Sequence, residues 1–153
     1  MTLRRWLGTV GWVCIFLLSR PQDSESAKAS TPSTLIYVAN EHSSTVSVIR
    51  SSDNKVIATI AVEGSPLSVG VMPDISKVYV GVVKRGISII GTADCKIRTT
   101  VKVGDHPVSL AITPDGSKLY SLNIKDQQAI ISVIETRRDR IIDSFPIELQ
   151  CSL

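Results

Sequence analysis

Aromatic residues are scarce in this chain, and the few present are unevenly placed. The 153 residues include two tryptophans, three tyrosines and two phenylalanines, and Trp6, Trp12 and Phe16 lie within the first 18 positions. Positive charge is not in marked excess either, since 17 basic residues face 14 acidic ones. Without aromatic platforms for stacking bases or a strongly basic surface for phosphates, the composition argues against a nucleic-acid partner.

Cysteine is also rare, which limits the metal and disulfide chemistry that the chain can offer. The three cysteines are Cys14, Cys95 and Cys151, and none has a cysteine or histidine close by in sequence. This spacing lacks the paired ligands of a zinc site. Cys95 and Cys151 also fall at opposite ends of the strands in the arrangement derived from the repeats, so no disulfide between them is predicted.

No apolar run is long enough to span a bilayer comfortably, which takes about 20 residues. The longest at the amino end covers residues 6–18, after the basic start MTLRR, and a polar segment rich in Ser, Ala and Pro follows at 19–33. This order is typical of a secretory signal, with Ala27-Lys28-Ala29 as a candidate cleavage site. We therefore predict that residues 1–29 are a leader and linker. The protein would be exported to the periplasm, the cell surface or the medium, and would touch a membrane only through an uncleaved leader.

The remainder, residues 30–153, contains an internal repeat. Landmark residues recur at one spacing of 41 positions, as seen in Pro66 and Pro107, Pro73 and Pro114, Tyr79 and Tyr120, and Lys55 and Lys96. Three units can be superposed on this period, at 34–62, 66–103 and 107–147. A period near 40 indicates an array of supersecondary units that bury their apolar surfaces against one another.

Each complete unit holds four short strand candidates and no helical pattern. β-Branched residues dominate, and turn sequences such as Pro114-Asp115-Gly116 separate the runs. The strands are apolar on both faces, as a sheet sandwiched between two neighbours requires. The sequence therefore predicts an all-β fold, with β-propeller blades of four antiparallel strands in an incomplete array.

Several motifs resemble the YVTN family of β-propeller repeats. They are YVAN at 37–40, VSVI at 46–49, KVIATIAV at 55–62 and VGDHPVSLAITPDGSKLY at 103–120. The resemblance covers residues 34–147, about two and three-quarter blades. It implies a propeller of about seven blades in an exported or cell-surface protein, and it implies no reaction.

The chain departs from the regular repeat in three ways. Ile75 stands where the third unit has Gly116, which predicts a distorted turn at residues 74–76. Three extra residues between Tyr120 and Ile131 predict a longer hairpin loop. The first unit lacks an inner strand, and the sequence offers none. The chain is interpreted as the opening section of a longer propeller, a truncated product, or a repeat protein completed by a protein partner or by self-association.

The sequence predicts no catalytic residue, no cofactor site and no metal site. Asp74 and Asp115 recur at a turn where their side chains would bind nearby backbone. Alternate loops of a blade lie on opposite faces of the propeller, and one face, termed the upper face, collects charged loop residues. Its candidate ligand or partner contacts are His42, Lys84, Arg85, Asp105 and His106.

Two functional hypotheses follow. The first is an exported, non-enzymatic propeller repeat protein that binds or scaffolds at the cell envelope, because the fold itself argues no reaction. The alternative is a fragment of a propeller enzyme, such as a lactonase or a quinoprotein-like dehydrogenase subunit, or a non-functional truncation. The open end faces of the array predict that residues 30–153 alone are not a compact monomer.

Overall fold

The computed structural model describes residues 15–17, 34–125 and 128–148, and for residues 15–17 the backbone only. The predicted cleavage site, the linker at 19–33 and Cys151 lie outside these residues. The described part contains twelve strands in three antiparallel sheets of four. The first sheet is β1 (Ile15–Leu17), β2 (Leu35–Asn40), β3 (Thr45–Arg50) and β4 (Lys55–Ala61). The second is β5 (Pro66–Val71), β6 (Lys77–Val82), β7 (Gly86–Gly91) and β8 (Lys96–Val101). The third is β9 (Pro107–Ile112), β10 (Lys118–Lys125), β11 (Gln128–Glu135) and β12 (Arg140–Ile147).

The strands follow one another in space in the order of the sequence, as the blade of a propeller requires. We call the sheets blades 1, 2 and 3. The prediction of an all-β fold made of four-stranded antiparallel blades is confirmed. Among the described residues, helix is limited to one short 3₁₀ turn at Glu41–Ser43, and no helix there is long and apolar enough to cross a membrane.

The inner strand of blade 1 corrects one expectation. β1, from the apolar amino-terminal run, pairs antiparallel with β2, with Phe16 opposite Tyr37. It occupies the inner position that β5 and β9 hold in the other two blades. The expectation that the sequence offers no such strand was therefore wrong, because a short apolar run that resembles a signal core also suits a buried strand. The prediction of export stays untested.

The Pro-Asp turns correct a second expectation. Ile75 and Gly116 are both left-handed, with φ of 60° and 69°. The same backbone bond closes both turns, at 2.8 Å, from Ile75 N to the Met72 carbonyl and from Gly116 N to the Thr113 carbonyl. The turn at 74–76 is therefore not distorted. Blade 2 keeps the geometry and places a β-branched residue in a conformation that it tolerates poorly.

The three extra residues of blade 3 correct a third expectation, that of a longer hairpin loop. They do not form a longer loop, because the ladder between β10 and β11 continues to the pair Lys125 and Gln128. In blade 2 the equivalent ladder ends at Val82 and Gly86. The insertion therefore lengthens both strands of the hairpin and leaves only residues 126 and 127 between them.

The core lies between the blades. We call the side of a blade turned to the next blade along the chain its forward face, and the opposite side its back face. One cluster joins the forward face of blade 1, including Tyr37 and Val48, to the back face of blade 2, including Val78 and Val80. A second cluster joins the forward face of blade 2, around Tyr79, to the back face of blade 3. Blade 2 is thus covered on both sides, which explains its apolar strands.

Candidate functional site

The upper face brings loops of neighbouring blades together through their backbones. The amide of Val83 donates to the Ser65 carbonyl at 2.9 Å, and the amide of Lys84 donates to the Asp105 carbonyl at 2.7 Å. The hairpin loop of blade 2 is therefore held between the linker that enters blade 2 and the linker that enters blade 3. This places charged side chains from separate parts of the sequence on one rim.

A first charged groove lies beside this hairpin. Its volume is about 390 Å³, and its lining consists of Glu63, Lys84, Arg85, Ser88, Ile97, Thr100 and Lys102. Arg85 Nη2 lies 3.0 Å from Glu63 Oε2, with both side chains largely exposed. Such an exposed pair contributes little to stability. Three basic side chains face one acidic side chain here, so the groove is basic.

A second groove lies on the blade 3 side of the same rim. Its volume is about 450 Å³, and it is lined by Asp105, His106, Val108, Ile124 and Lys125. Lys125 Nζ lies 3.9 Å from Asp105 Oδ2, at the outer limit of an ion pair. The amide of Ile124 donates to the His106 carbonyl at 3.2 Å, which ties this linker to the hairpin of blade 3.

The structure brings four of the five predicted contact residues to neighbouring positions. Lys84 and Arg85 line the first groove, and Asp105 and His106 line the second. His42 lies in the 3₁₀ turn of blade 1, exposed, and does not line either of these grooves. Whether any of the five contacts a ligand or partner stays a prediction. Glu63, Lys102 and Lys125 join them in the grooves and were not among the predicted contacts.

The recurring aspartates act in the turns. Asp115 Oδ1 accepts hydrogen bonds from the Thr113 hydroxyl and from the Ser117 amide. These bonds, with the Thr113 hydroxyl first, lower the pKa of Asp115 to about 2. In blade 2 the Ser76 amide and hydroxyl lower the pKa of Asp74 in the same way. Both carboxylates are held ionised by local bonds, as expected of Asp at this turn position.

Asn40 and Asn123 each lie three residues after the tyrosine of their blade, but they have different surroundings. Asn40 Nδ2 donates to Thr45 Oγ1 at 3.1 Å and to Ser47 Oγ at 2.8 Å across its hairpin. Asn123 is buried, and its Oδ1 has no hydrogen-bond donor among the described residues. This oxygen faces Gly104, where a Cβ would lie 3.2 Å away. Gly104 has a φ of +139°, so both space and backbone conformation favour glycine there.

Sequence reasoning missed a polar cluster on the opposite rim, the lower face. Tyr79 Oη donates to Asp139 Oδ1 at 2.7 Å, and Lys77 Nζ contacts Asp139 Oδ2 at 2.7 Å and the Thr136 carbonyl at 2.9 Å. Burial, followed by the bond to Asp139, raises the pKa of Tyr79 above its ordinary value. The cluster joins blade 2 to blade 3. The available signal was the recurrence of Lys77 and Tyr79, 41 residues later, as Lys118 and Tyr120.

Metal chemistry finds no support in the described residues, where no group of three or more His, Cys, Asp and Glu side chains is placed to hold an ion. Cys95 is a free thiol in the turn between β7 and β8.

Comparison with known proteins supports the fold. No family model and no curated protein matches the chain. Among solved structures, Kuenenia stuttgartiensis hydrazine synthase, which contains a β-propeller, is similar with a TM-score of 0.70 and 25% sequence identity. The match covers 74% of this chain and 32% of that chain. The chain thus spans about a third of the length of this solved chain. The match supports a propeller-type fold.

Proposed function

We propose that the chain is an exported, non-enzymatic propeller repeat protein of the YVTN type, which binds an acidic polypeptide segment at the cell envelope. The observation that carries the proposal is the first groove, where Lys84, Arg85 and Lys102 face the single carboxylate of Glu63. A surface of one prevailing charge attracts and orients a partner of the opposite charge. The motifs that resemble YVTN repeats supply the class of protein.

The lining favours a macromolecule over a small metabolite. Small-molecule sites enclose most of the ligand and are rich in aromatic and apolar side chains. Among the described residues that line the two upper grooves, none is Phe, Tyr or Trp. Lys84, Arg85, Asp105 and His106 are all exposed. Exposed charged side chains of this kind are suited to contact with the surface of a protein partner. The absence of aromatic side chains from the lining also disfavours single-stranded nucleic acid.

Binding can be tested with a labelled heptaglutamate peptide, followed by fluorescence anisotropy at low salt. The double variant Lys84→Glu/Arg85→Glu should lose most of the affinity, and added salt should weaken binding to the unmodified chain. Lys55→Glu/Lys96→Glu is the matched control, since both lysines are exposed and lie beside lower-face turns. Equal binding by both double variants, or no binding by the unmodified chain, would contradict the proposal.

Export can be tested separately by fractionating cells that express the full chain and sequencing the amino terminus of the product. The expected product is outside the cytoplasm. An amino terminus before residue 15 would keep β1 in blade 1, whereas one beyond residue 17 would leave blade 1 with three strands. Cytoplasmic protein that begins at Met1 would remove export from the proposal without affecting the binding test.

A second candidate function is the propeller section of an enzyme. The observation that favours it is the similarity to a hydrazine synthase chain, of which this chain spans about a third. Turnover of a lactone or an amine by the purified chain would favour this candidate. Loss of turnover in upper-face variants would then locate the site.

A further inference from the structure

The first groove has a hydroxyl group at its floor and charged groups around its mouth. Lys84 and Arg85 come from the hairpin loop between β6 and β7, and Glu63 comes from the linker that leaves blade 1. Ser88, on β7, is only 5% exposed, whereas every other residue of the lining is exposed. A ligand group that enters between the charged side chains therefore meets the Ser88 hydroxyl last.

A second hydroxyl stands beside the first. Ser88 lies opposite Thr100 in the ladder between β7 and β8. Their oxygens share a hydrogen bond of 3.5 Å, at the outer limit for such a bond, and neither side chain has another among the described residues. Two hydroxyls bring two O–H donors, and a bond between them uses one. At least one donor of the pair therefore remains for a ligand.

The equivalent pair in blade 3 shows what occupies these donors elsewhere in the chain. Ser132 lies opposite Ser144 on the same face of that blade. The Ser132 hydroxyl donates to the Val103 carbonyl at 3.4 Å, and the Ser144 hydroxyl donates to the Ile131 carbonyl at 3.3 Å. In blade 2 neither hydroxyl has a backbone acceptor among the described residues. The pair in blade 2 is therefore the one with unused donors, and it is the pair that lies in the basic groove.

The basic side chains of the groove also have unused capacity. Lys84 and Lys102 form no ion pair with any residue that the structure describes. Arg85 pairs with Glu63, but a guanidinium carries five N–H donors and keeps several for another anion. Three basic side chains against one carboxylate leave a formal excess of two positive charges.

The basic set belongs to blade 2 and is not a feature of the repeat. The strand ladders place Thr59, Thr100 and Ser144 at one position of their blades. Two residues further along the chain, blade 2 has Lys102, whereas blades 1 and 3 have Ala61 and Pro146. The lysine is therefore not required by the blade architecture, and its place in the groove calls for another explanation.

From these observations we infer that the groove holds a phosphomonoester group carried by the acidic segment, an inference that rests on the proposed function. At neutral pH a phosphomonoester bears close to two negative charges and three oxygens that accept strong hydrogen bonds. Its charge balances the excess in the groove, and its oxygens accept from the free hydroxyl donor and from Arg85. A single carboxylate supplies half of that charge and one oxygen fewer.

Two labelled peptides of equal charge test this preference with the full chain. One has a phosphoserine between two triglutamate segments, and the other is octaglutamate, so that each carries a charge of about −8 near pH 7.5. Fluorescence anisotropy should give the phosphopeptide a dissociation constant roughly tenfold lower. Equal dissociation constants would overturn the inference and leave the proposed function standing. Binding of the phosphopeptide alone would support the phosphoryl site and contradict the proposed acidic segment, and binding of neither peptide would overturn both.

Hydroxyl variants test which groups provide the preference. Ser88→Ala/Thr100→Val removes both hydroxyls with little change of shape, and the ratio of the two dissociation constants should fall to about one. The matched control is Ser132→Ala/Ser144→Ala, the same pair in blade 3, which should keep the tenfold ratio. Circular dichroism identifies any variant that fails to fold. A ratio that survives in the first variant, or that is lost in the control, would refute the role of these hydroxyls.

Lys102→Ala gives an independent test on an exposed side chain, since blade 1 has Ala61 at the same position. The ratio should fall several-fold, because the phosphoryl group loses one of its three cations while octaglutamate retains other contacts. An unchanged ratio would remove Lys102 from the site.

Competition with inorganic phosphate distinguishes a phosphoryl group on a polypeptide from free phosphate. Inorganic phosphate should displace the labelled phosphopeptide at a lower ionic strength than sodium chloride does, because it occupies the groove as well as screening charge. It should need a concentration far above the dissociation constant of the phosphopeptide, since it lacks the glutamates. Displacement at a concentration close to that constant would identify free phosphate as the ligand, and displacement no better than by sodium chloride would mean that no phosphoryl site exists.

Discussion

Ile75 and Gly116 occupy one left-handed turn position in neighbouring blades, and only one of them suits it. A left-handed conformation costs an L-residue roughly 1–2 kcal/mol. A Cβ at Gly116 would also lie 3.2 Å from Met72 Cε and 3.4 Å from Pro73 Cδ, in blade 2. Gly116→Ile should therefore reduce the free energy of unfolding by about 1 kcal/mol or more.

The reverse change at the equivalent position supplies the control. Ile75→Gly should be neutral or stabilising, because relief of the left-handed strain offsets the greater entropy that glycine gives the unfolded chain. Chemical denaturation of both variants measures the two effects. A harmless Gly116→Ile together with a damaging Ile75→Gly would show that the two turns are not equivalent.

For single residues, the sequence predicts local turn chemistry better than it predicts contacts between distant parts of the chain. Pro114-Asp115-Gly116 predicts its own turn, because the residues that shape it are adjacent. The geometry at Ile75 was not predictable from that residue alone, since the flanking ladder and the bonds of Asp74 to Ser76 override its backbone preference. The Tyr79 to Asp139 bond spans 60 residues, and no local pattern indicates such a partner.

Asp139 accepts two of the three inter-blade bonds of the lower-rim cluster, from Lys77 and Tyr79, and its removal should be costly. Asp139→Ala would leave the Tyr79 hydroxyl buried without its partner and the Lys77 ammonium without its carboxylate. We expect a loss of about 2–3 kcal/mol in unfolding free energy. Asp139→Asn should lose less, because an amide still accepts one bond and tolerates the left-handed backbone.

Asp53→Ala is the comparison for Asp139→Ala under urea denaturation. Asp53 binds Arg50 in an exposed pair of the equivalent turn in blade 1, and it bridges no blades. Its removal should change stability little. Equal effects of the two alanine variants would mean that the lower-rim cluster does not stabilise the junction.

Among the elements, β1 is the one that its sequence does not identify. The strands of blades 2 and 3 were predicted because β-branched runs alternate with turn residues at a fixed period. The apolar run at 6–18 has no such landmarks, and its composition fits a signal core and a strand equally well. Its pairing with β2 is decided by the open edge of blade 1, which is a tertiary feature.

The pairing of β1 predicts an effect of removing the leader. In residues 30–153 alone, β2 would be an unpaired edge, and its outward amides should exchange with solvent faster than in the full chain. Hydrogen exchange with mass spectrometry over Leu35–Asn40 measures this. Peptides from β6, which is paired on both sides, provide the control. Equal exchange in Leu35–Asn40 would show that β1 does not protect this edge.

The three described blades form a stack in which each blade is stabilised by its neighbours. The outer faces of the two end blades therefore determine whether the chain associates. Repetition made the fold class and the junction between blades predictable from sequence. The upper-face grooves were predictable only in part, because loop residues recur less strictly than strands. Lys84 and Asp105 were expected on one face, but the backbone bond that joins their loops requires the structure.

Association through the forward face of blade 3 makes a further prediction about thermal unfolding. Phe145 lies on this face and is 40% exposed. If the face is buried only when chains associate, dissociation accompanies unfolding, and the midpoint temperature should rise with protein concentration. Phe145→Asp should unfold at a lower temperature that is independent of concentration, because a charge in this apolar face opposes association. Ile142→Asp should behave as the unmodified chain, since Ile142 is exposed on the same strand and lies opposite no residue of β11. Scanning calorimetry over a roughly hundredfold range of concentration gives the comparison. A midpoint of the unmodified chain that does not move over this range would show that this face is stable without a partner.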